Sequence, residues 1–405
     1  MRKSPYLLTV FSLYINYIFQ GMAAIILSLN MSSLMTQMQT DKTGLSFVIS
    51  AIGLGRILIL YPAGRLSDRY GRKQIVYLGM LCYLVFFSGL LISHNIWTAA
   101  FFTLFSGFAN ALLDTGTYPA LTEAYPEANS AISVLNKAFI SVGQFFLPIM
   151  VRFITNQQFY FGYAFLFCFI GVALNGLLLF KRPFADKQTT LGKSKEVTTY
   201  TQKPNFAIEG WMLLLFGFTS VSTFNITVIW LPEYALTFTT MSEGNTLMLV
   251  SLYSIGSFIS VFLTAFLVKK WIKDSTMMMV CALISSALLI LMLLAPTSFT
   301  CMLTAVGIGL FAAGGIWQLG LAQLLAFFPQ NKGRMTSYYT LLTSFSVMLI
   351  PMITGYLSEI NMGLVFLFNA ALTLLGAGLA VYIAYRHRKL TTAIKLTSFS
   401  LEKNR

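Results

Sequence analysis

The sequence predicts an all-α membrane protein of twelve transmembrane helices, arranged as two pseudo-symmetric six-helix bundles. The first observation is composition. Of the 405 residues, 57% are hydrophobic and 10% are charged, too little charge to cover a soluble domain of that size. The second is spacing: largely apolar runs of ~20 residues, enough to cross a hydrocarbon core of ~30 Å, recur along the whole chain. The third is the placing of basic residues, which gather on one side of the alternating runs.

On the length rule, the first six spans fall at 6–31, 43–64, 74–93, 97–123, 131–152 and 159–181. The second six fall at 208–231, 244–268, 275–294, 299–327, 335–357 and 362–385. The one long polar interruption separates the sets. Residues 1–181 therefore form an N-terminal bundle, 182–207 a cytoplasmic linker, 208–385 a C-terminal bundle and 386–405 a basic cytoplasmic tail. With the N-terminus in the cytoplasm, inner segments hold 23 of the 27 Lys and Arg residues, and the outer loops hold two, Lys42 and Arg152. The other two, Arg56 and Lys137, lie inside spans. Such an asymmetry places both termini in the cytoplasm. The first apolar run lacks a small-residue cleavage site and is expected to stay in place as a helix.

The net charge of +14 is thus an orientation signal and not a nucleic-acid surface, because the basic residues share no single face. Cys82, Cys168, Cys281 and Cys301 lie in apolar stretches without metal-ligand spacing and read as packing residues. In the linker, Gly192-Lys193-Ser194 resembles the end of a phosphate-binding loop. Lys187 stands where the first glycine is required, and no strand precedes it. No cofactor and no metal are expected.

The halves read as repeats. Pro126 and Pro148 match Pro329 and Pro351 at an offset of 203, and Gly55-Arg56 matches Gly256-Ser257 at an offset of 201.

Between spans two and three the chain reads Gly64-Arg-Leu-Ser-Asp-Arg-Tyr-Gly-Arg-Lys73. Gly64 and Gly71 permit close backbone approach and a tight turn. Asp68 is placed to cap the N-terminus of span eleven and to pair with a nearby arginine. Glu123, at the inner end of span four, is the natural partner for Arg72. The bland reading is that Arg65, Arg69, Arg72 and Lys73 only enforce topology. The stretch resembles the signature of the major facilitator superfamily, G-x-L-x-D-R-x-G-R-K, with every defining position filled. What the resemblance implies is the major facilitator fold and a transporter rather than an enzyme. It also implies a latch built from Gly64, Asp68, Arg69, Gly71, Arg72, Lys73 and Glu123, closing the halves while the carrier faces outward. The equivalent Lys269-Lys-Trp-Ile-Lys-Asp274 lacks both glycines, so a one-sided latch is expected. Asn30-Met-Ser-Ser, Ile52-Gly-Leu-Gly-Arg56, Leu113-Asp-Thr-Gly-Thr-Tyr-Pro119, Lys137-Ala-Phe-Ile-Ser-Val-Gly-Gln144 and Ala312-Ala-Gly-Gly-Ile-Trp-Gln-Leu-Gly320 resemble the YdiM/YdiN group of bacterial inner-membrane transporters. That resemblance implies proton-driven transport in the cytoplasmic membrane, with carriers of this fold commonly working as monomers.

Three ionisable residues lie well inside spans, where an unpaired charge costs at least ~2.5–3.5 kcal/mol. Counted from the inner helix ends at 1.5 Å per residue, Arg56, Asp114 and Lys137 all sit ~12–13 Å deep. Asn110, Asp114 and Tyr118 recur every four residues on span four. Ser133, Lys137, Ser141 and Gln144 form a polar stripe on span five, while on span two Ser46, Gly53 and Arg56 share a side that Ile49 interrupts. The offset positions in the second half, Ser257, Trp317 and Thr340, carry no charge. The N-terminal half is therefore expected to hold the ion chemistry and the C-terminal half a neutral wall. Asp114 is the candidate proton site. Arg56 and Lys137 leave one surplus positive charge, which an anionic, carboxylate-bearing small molecule would neutralise. Tyr17, Gln20, Asn110, Tyr118, Gln144, Asn225, Trp317 and Gln318 are candidate substrate contacts. The structural alternative is an Asp114–Lys137 pair locking spans four and five, with Arg56 bonded to backbone carbonyls.

Import of a small organic anion, hydroxylated or cyclic, is the first reading and a proton-driven multidrug or metabolite exporter the second. Span five keeps only Gly143 and Pro148 of the G-x-x-x-G-P pattern that such exporters carry. An intramembrane enzyme would need a nucleophile–base or metal constellation. The two histidines, His94 and His387, lie outside the spans, and neither H-E-x-x-H nor G-x-S-x-G occurs. Gly314-Gly315 in span ten reads as close packing before bending.

Overall fold

The computed structural model describes residues 5–125, 129–185 and 204–402. Twelve helices among them are long and apolar enough to cross a membrane. Spans one to six are Leu7–Leu29, Lys42–Tyr70, Arg72–Ile92, Ile96–Ala124, Asn129–Asn156 and Gly162–Phe180. Span seven is Trp211–Phe238, entered through a π-helical turn at Phe206–Gly210. Spans eight and nine are Glu243–Lys270 and Asp274–Leu294. Span ten is interrupted, and spans eleven and twelve are Lys332–Ile360 and Met362–Glu402. Pro126, the linker's Gly192-Lys193-Ser194 and the side chain of Ser133 lie outside the described residues.

Spans two and four, which start on the face opposite the termini, carry polar caps, because lipid offers no partner for free amides. Asp41 Oδ1 accepts the Gly44 amide at 2.7 Å. Asn95 Oδ1 accepts those of Trp97 and Thr98 at 3.1 and 2.9 Å. Large apolar side chains such as Leu177, Phe180 and Leu294 are exposed on the outside of the bundle, where lipid is their solvent. All four cysteines are buried and free.

The repeat is visible as two matching clasps. A Cβ on Gly55 would overlap the Leu104 carbonyl, and one on Gly107 the Ile52 carbonyl and the Arg56 amide. In the second half, Gly256 meets the Val306 carbonyl, while Gly309 meets the Tyr253 carbonyl and the Ser257 amide. Spans two and four, and spans eight and ten, therefore touch backbone to backbone as small residues allow in lipid. Arg56 and Ser257 occupy equivalent places, as the offset of 201 implies.

The halves meet along two seams. Span two runs antiparallel to span eleven, with Gly355 against the Ser46 side chain and Gly53 against the Met348 backbone. Span five runs likewise beside span eight. There the Ser251 hydroxyl donates to the Phe145 carbonyl at 2.9 Å and Ser141 donates to Ser257 at 3.0 Å. These contacts run from mid-membrane to the face opposite the termini. Toward the termini, Gly64 and Gly333 have no atom within 4 Å of where a Cβ would stand. The halves part on that side.

Three expectations need correction. The signature stretch is not a loop: span two continues as helix to Tyr70, and the turn is Gly71 alone, at φ +91°. Hydropathy marks where lipid ends and not where hydrogen bonding ends, and a left-handed glycine is what stops this helix. For the same reason span seven runs past 231 to Phe238, and the tail continues span twelve as helix. Span ten is not continuous. Ser298–Ile308 gives way to a π-helical turn at Gly309–Ala313, and a new helix starts at Ile316. Gly314 and Gly315 do pack closely, against Ser260 and Thr264, yet they also break the helix. The Ser260 hydroxyl donates to the Leu310 carbonyl, within the π-helical turn, at 2.5 Å.

Candidate substrate and coupling site

Two of the three membrane charges pair. Arg56 Nη2 donates to Asp114 Oδ2 at 3.2 Å, with both side chains about three-quarters buried. The Gly55–Gly107 clasp brings spans two and four close enough for this bond. On the other carboxylate oxygen, Tyr17 donates from span one at 3.3 Å, and Gln20 is a further hydrogen-bond partner. Tyr118, on the rim, meets the Tyr17 ring edge-on at 6.1 Å between centroids. Tyr83 of span three donates to Asn110 Oδ1 at 3.0 Å. Arg56 Nε and Gln20 Oε1 are buried without a hydrogen-bond partner, so the cluster keeps polar capacity in reserve.

The third charge stands apart. Lys137 Nζ lies 5.4 Å from the centroid of the Phe224 ring on span seven. Among the described residues, no carboxylate forms an ion pair with it. The expected alternative, Asp114 locked to Lys137, is not what the helices build. Spans four and five are neighbours in sequence, but the clasp turns Asp114 toward span two. Arg56 is bonded to that carboxylate and not to backbone carbonyls. Ser141, one turn beyond Lys137, joins Ser257, the equivalent of Arg56. Lys137 therefore stands within a helical turn of the pair's level. Further along the stripe, Gln144 is buried with its Oε1 unpartnered.

The C-terminal half pairs its hydroxyls among spans seven, eleven and twelve. Ser222 meets Ser346 at 2.9 Å, Thr223 meets Thr373 at 2.7 Å and Asn369 Nδ2 donates to Thr227 at 3.1 Å. Asn225 is half-buried beside Phe224 and Gln318 is exposed. Trp317 packs on Tyr339, 5.4 Å between ring centroids. Tyr83 and Phe224 were not among the sequence candidates. Each is an aromatic residue in an apolar run, and only the fold makes it a neighbour of charge.

The signature stretch staples the N-terminal half. Arg72 bonds Glu123 at 3.2 Å, Asp68 at 3.0 Å and Ser67 at 2.8 Å, and Ser67 in turn donates to the Thr115 carbonyl. Lys73 donates to the Phe180 carbonyl at 2.8 Å, a cation on a helix C-terminus. Arg69 lies over the Tyr70 ring. Gly64 faces open space instead of a neighbouring backbone, because the halves part there. Arg72→Ala would leave the Glu123 carboxylate, only 7% exposed, buried without its cation. The expected cost is ~3–5 kcal/mol, read as a fall in melting temperature that a second change, Glu123→Gln, partly restores.

The model for the Major Facilitator Superfamily matches residues 13–311 and 239–400. The chain belongs to this superfamily. Its members are transporters, and so is this chain. It is 37% identical over 390 residues to the inner membrane transport protein YdiM of Escherichia coli (strain K12), covering 96% of each chain. It is 36% identical over 388 residues to the uncharacterized MFS-type transporter YfkL of Bacillus subtilis (strain 168), covering 95% of this chain and 98% of that one. Solved structures share the facilitator fold at low identity. A D-xylose-proton symporter superposes with a TM-score of 0.73 at 14% identity, over 93% of this chain and 97% of that one. The transporter FucP, in an outward conformation, gives 0.64 at 14% identity, over 94% and 99%.

Proposed function

We propose that this facilitator takes up a small organic anion together with a proton, in a bacterial cytoplasmic membrane with both termini inside. The single observation that carries the reading is the division of three charges: Arg56 neutralises Asp114, and among the described residues Lys137 meets an aromatic ring and no carboxylate. A lone cation at that depth is costly, and a substrate carboxylate is the partner that would offset it. Phe224, Gln144 and Asn225 would receive the rest of a hydroxylated or cyclic acid. When Asp114 takes up a proton, it releases Arg56, and the carboxylate then meets two cations. The empty carrier carries one net positive charge at the site, and so does the carrier loaded with H⁺ and a monovalent anion. Transport would thus be electroneutral. The halves join on the face opposite the termini, so this conformation is the inward-facing one. Asp68, held here by Arg72, would cap span eleven only in the outward-facing state. The carrier is read as working as a monomer without cofactor.

The test is a ligand screen by thermal stabilisation of purified protein, followed by uptake into proteoliposomes under an imposed pH gradient. Stabilisation by carboxylates but not by their amides or alcohols is expected. Stabilisation by lipophilic cations, with resistance to them in an efflux-deficient host, would favour the exporter reading instead.

A further inference from the structure

Among the described residues, two Lys and Arg residues, Lys42 and Arg152, fall on the face opposite the termini. Each stands on one of the two seams between the halves. Lys42, the first residue of span two, reaches across twice. Its Nζ meets Glu233 Oε1 of span seven at 2.6 Å, and its amide donates to Glu359 Oε1 of span eleven at 2.8 Å. Arg152 of span five lies along the Gly244 backbone of span eight, with its Cγ 3.4 Å from where a Cβ would stand. Between the seams is a cavity of about 120 Å³ whose lining includes Ser28, Asn30, Thr155, Glu233, Glu243 and Thr246. Glu233 thus belongs both to the cavity wall and to the ion pair with Lys42.

We propose that Lys42 is the latch of an outer gate, holding span two against spans seven and eleven and sealing the cavity behind Glu233. Below Lys42 this seam includes Ser46, Gly53, the Met348 backbone and Gly355, small groups and backbone that slide apart without breaking any ion pair among the described residues. The bond to Glu233 is the charged contact to be broken before the seam opens. Its partners are 26% and 31% exposed, so water competes for both, and the pair is weak enough to let go in each cycle. Its strength lies in direction: only the closed seam puts the carboxylate where the ammonium can reach it. Cations on this face also oppose the charge asymmetry that orients the chain, and both are spent on closing the halves. The signature stretch, which staples the N-terminal half in this conformation, would supply the opposing device on the other face.

This inference rests on the cytoplasmic placing of the termini, and its test separates the two. Ser46, one turn from Lys42, is fully buried at the seam, so Ser46→Cys reports opening by its reaction with a membrane-impermeant maleimide. The four buried native cysteines set the background. In intact cells, Lys42→Gln in the reporter protein is expected to raise the labelling rate about fivefold. The charge exchange Lys42→Glu with Glu233→Lys is expected to bring it back. Glu233→Gln removes the same pair from the other side and is read identically if Lys42→Gln does not accumulate. An unchanged rate in both intact cells and inverted vesicles would overturn the latch, as would a raised rate that the exchange fails to lower. A rise confined to inverted vesicles would keep the latch and overturn the orientation.

Discussion

Replacing Asp114 by asparagine is expected to cut pH-gradient-driven uptake by at least ~tenfold while leaving exchange of internal for external substrate within about twofold. The amide has the shape of the carboxyl group and can still accept from Tyr17, so the clasp between spans two and four should survive. What it cannot do is take a proton on one side and release it on the other. Arg56, no longer held by a carboxylate, stays free to meet substrate in every conformation. A loaded variant can therefore cross in both directions, but a proton gradient gives it no direction. The same charge count makes a second measurement decisive. In the parent protein a potassium-diffusion potential alone should drive no net uptake of a monovalent anion, because loaded and empty carriers carry equal charge. Potential-driven uptake in the parent, or intact pH-driven uptake in Asp114→Asn, would remove Asp114 from the coupling role.

Much of this site is legible in the sequence, because membrane chemistry makes charge conspicuous. Arg56, Asp114 and Lys137 stand out against apolar runs, and counting helical rise places them at one depth. Arg72 with Glu123 follows from two helix ends on one face. Which of the three charges pair does not follow. That depends on the rotational phase of each helix and on which helices touch, and here it is set by Gly55 and Gly107, two residues with no chemistry of their own. Tyr83 and Phe224 are invisible for the related reason that an aromatic residue in an apolar run has no sequence mark of what it will face. The break in span ten hides similarly: Gly314-Gly315 spells both packing and a hinge, and the π-helical turn before it leaves no signature in Gly309–Ala313. The seam contacts of Lys42 are further still from sequence, since Glu233 and Glu359 lie in the other half of the chain.

The second large effect is expected at Lys137, where stability and function should move in opposite directions. Lys137→Met keeps most of the length of the unbranched side chain while removing the ammonium that faces Phe224. A cation at the centre of a span costs ~2.5–3.5 kcal/mol, and its attraction to one aromatic face returns ~0.5–2 kcal/mol. The variant should therefore be more stable than the parent by about 0.5–3 kcal/mol, the difference of those two terms, seen as a higher melting temperature in detergent. Its affinity for the carboxylate substrate should fall by at least ~tenfold, the loss expected when a charged partner is removed from a buried site. Lys137→Arg, which keeps the charge, should retain measurable binding. A structural role makes the contrary forecast: a lysine that holds helices together loses stability when neutralised, whatever happens to binding. A melting temperature that falls in Lys137→Met with unchanged substrate affinity would place Lys137 in the framework and leave Arg56 alone to meet the anion. A rise in stability bought with loss of transport is the outcome that a cation kept for its ligand requires.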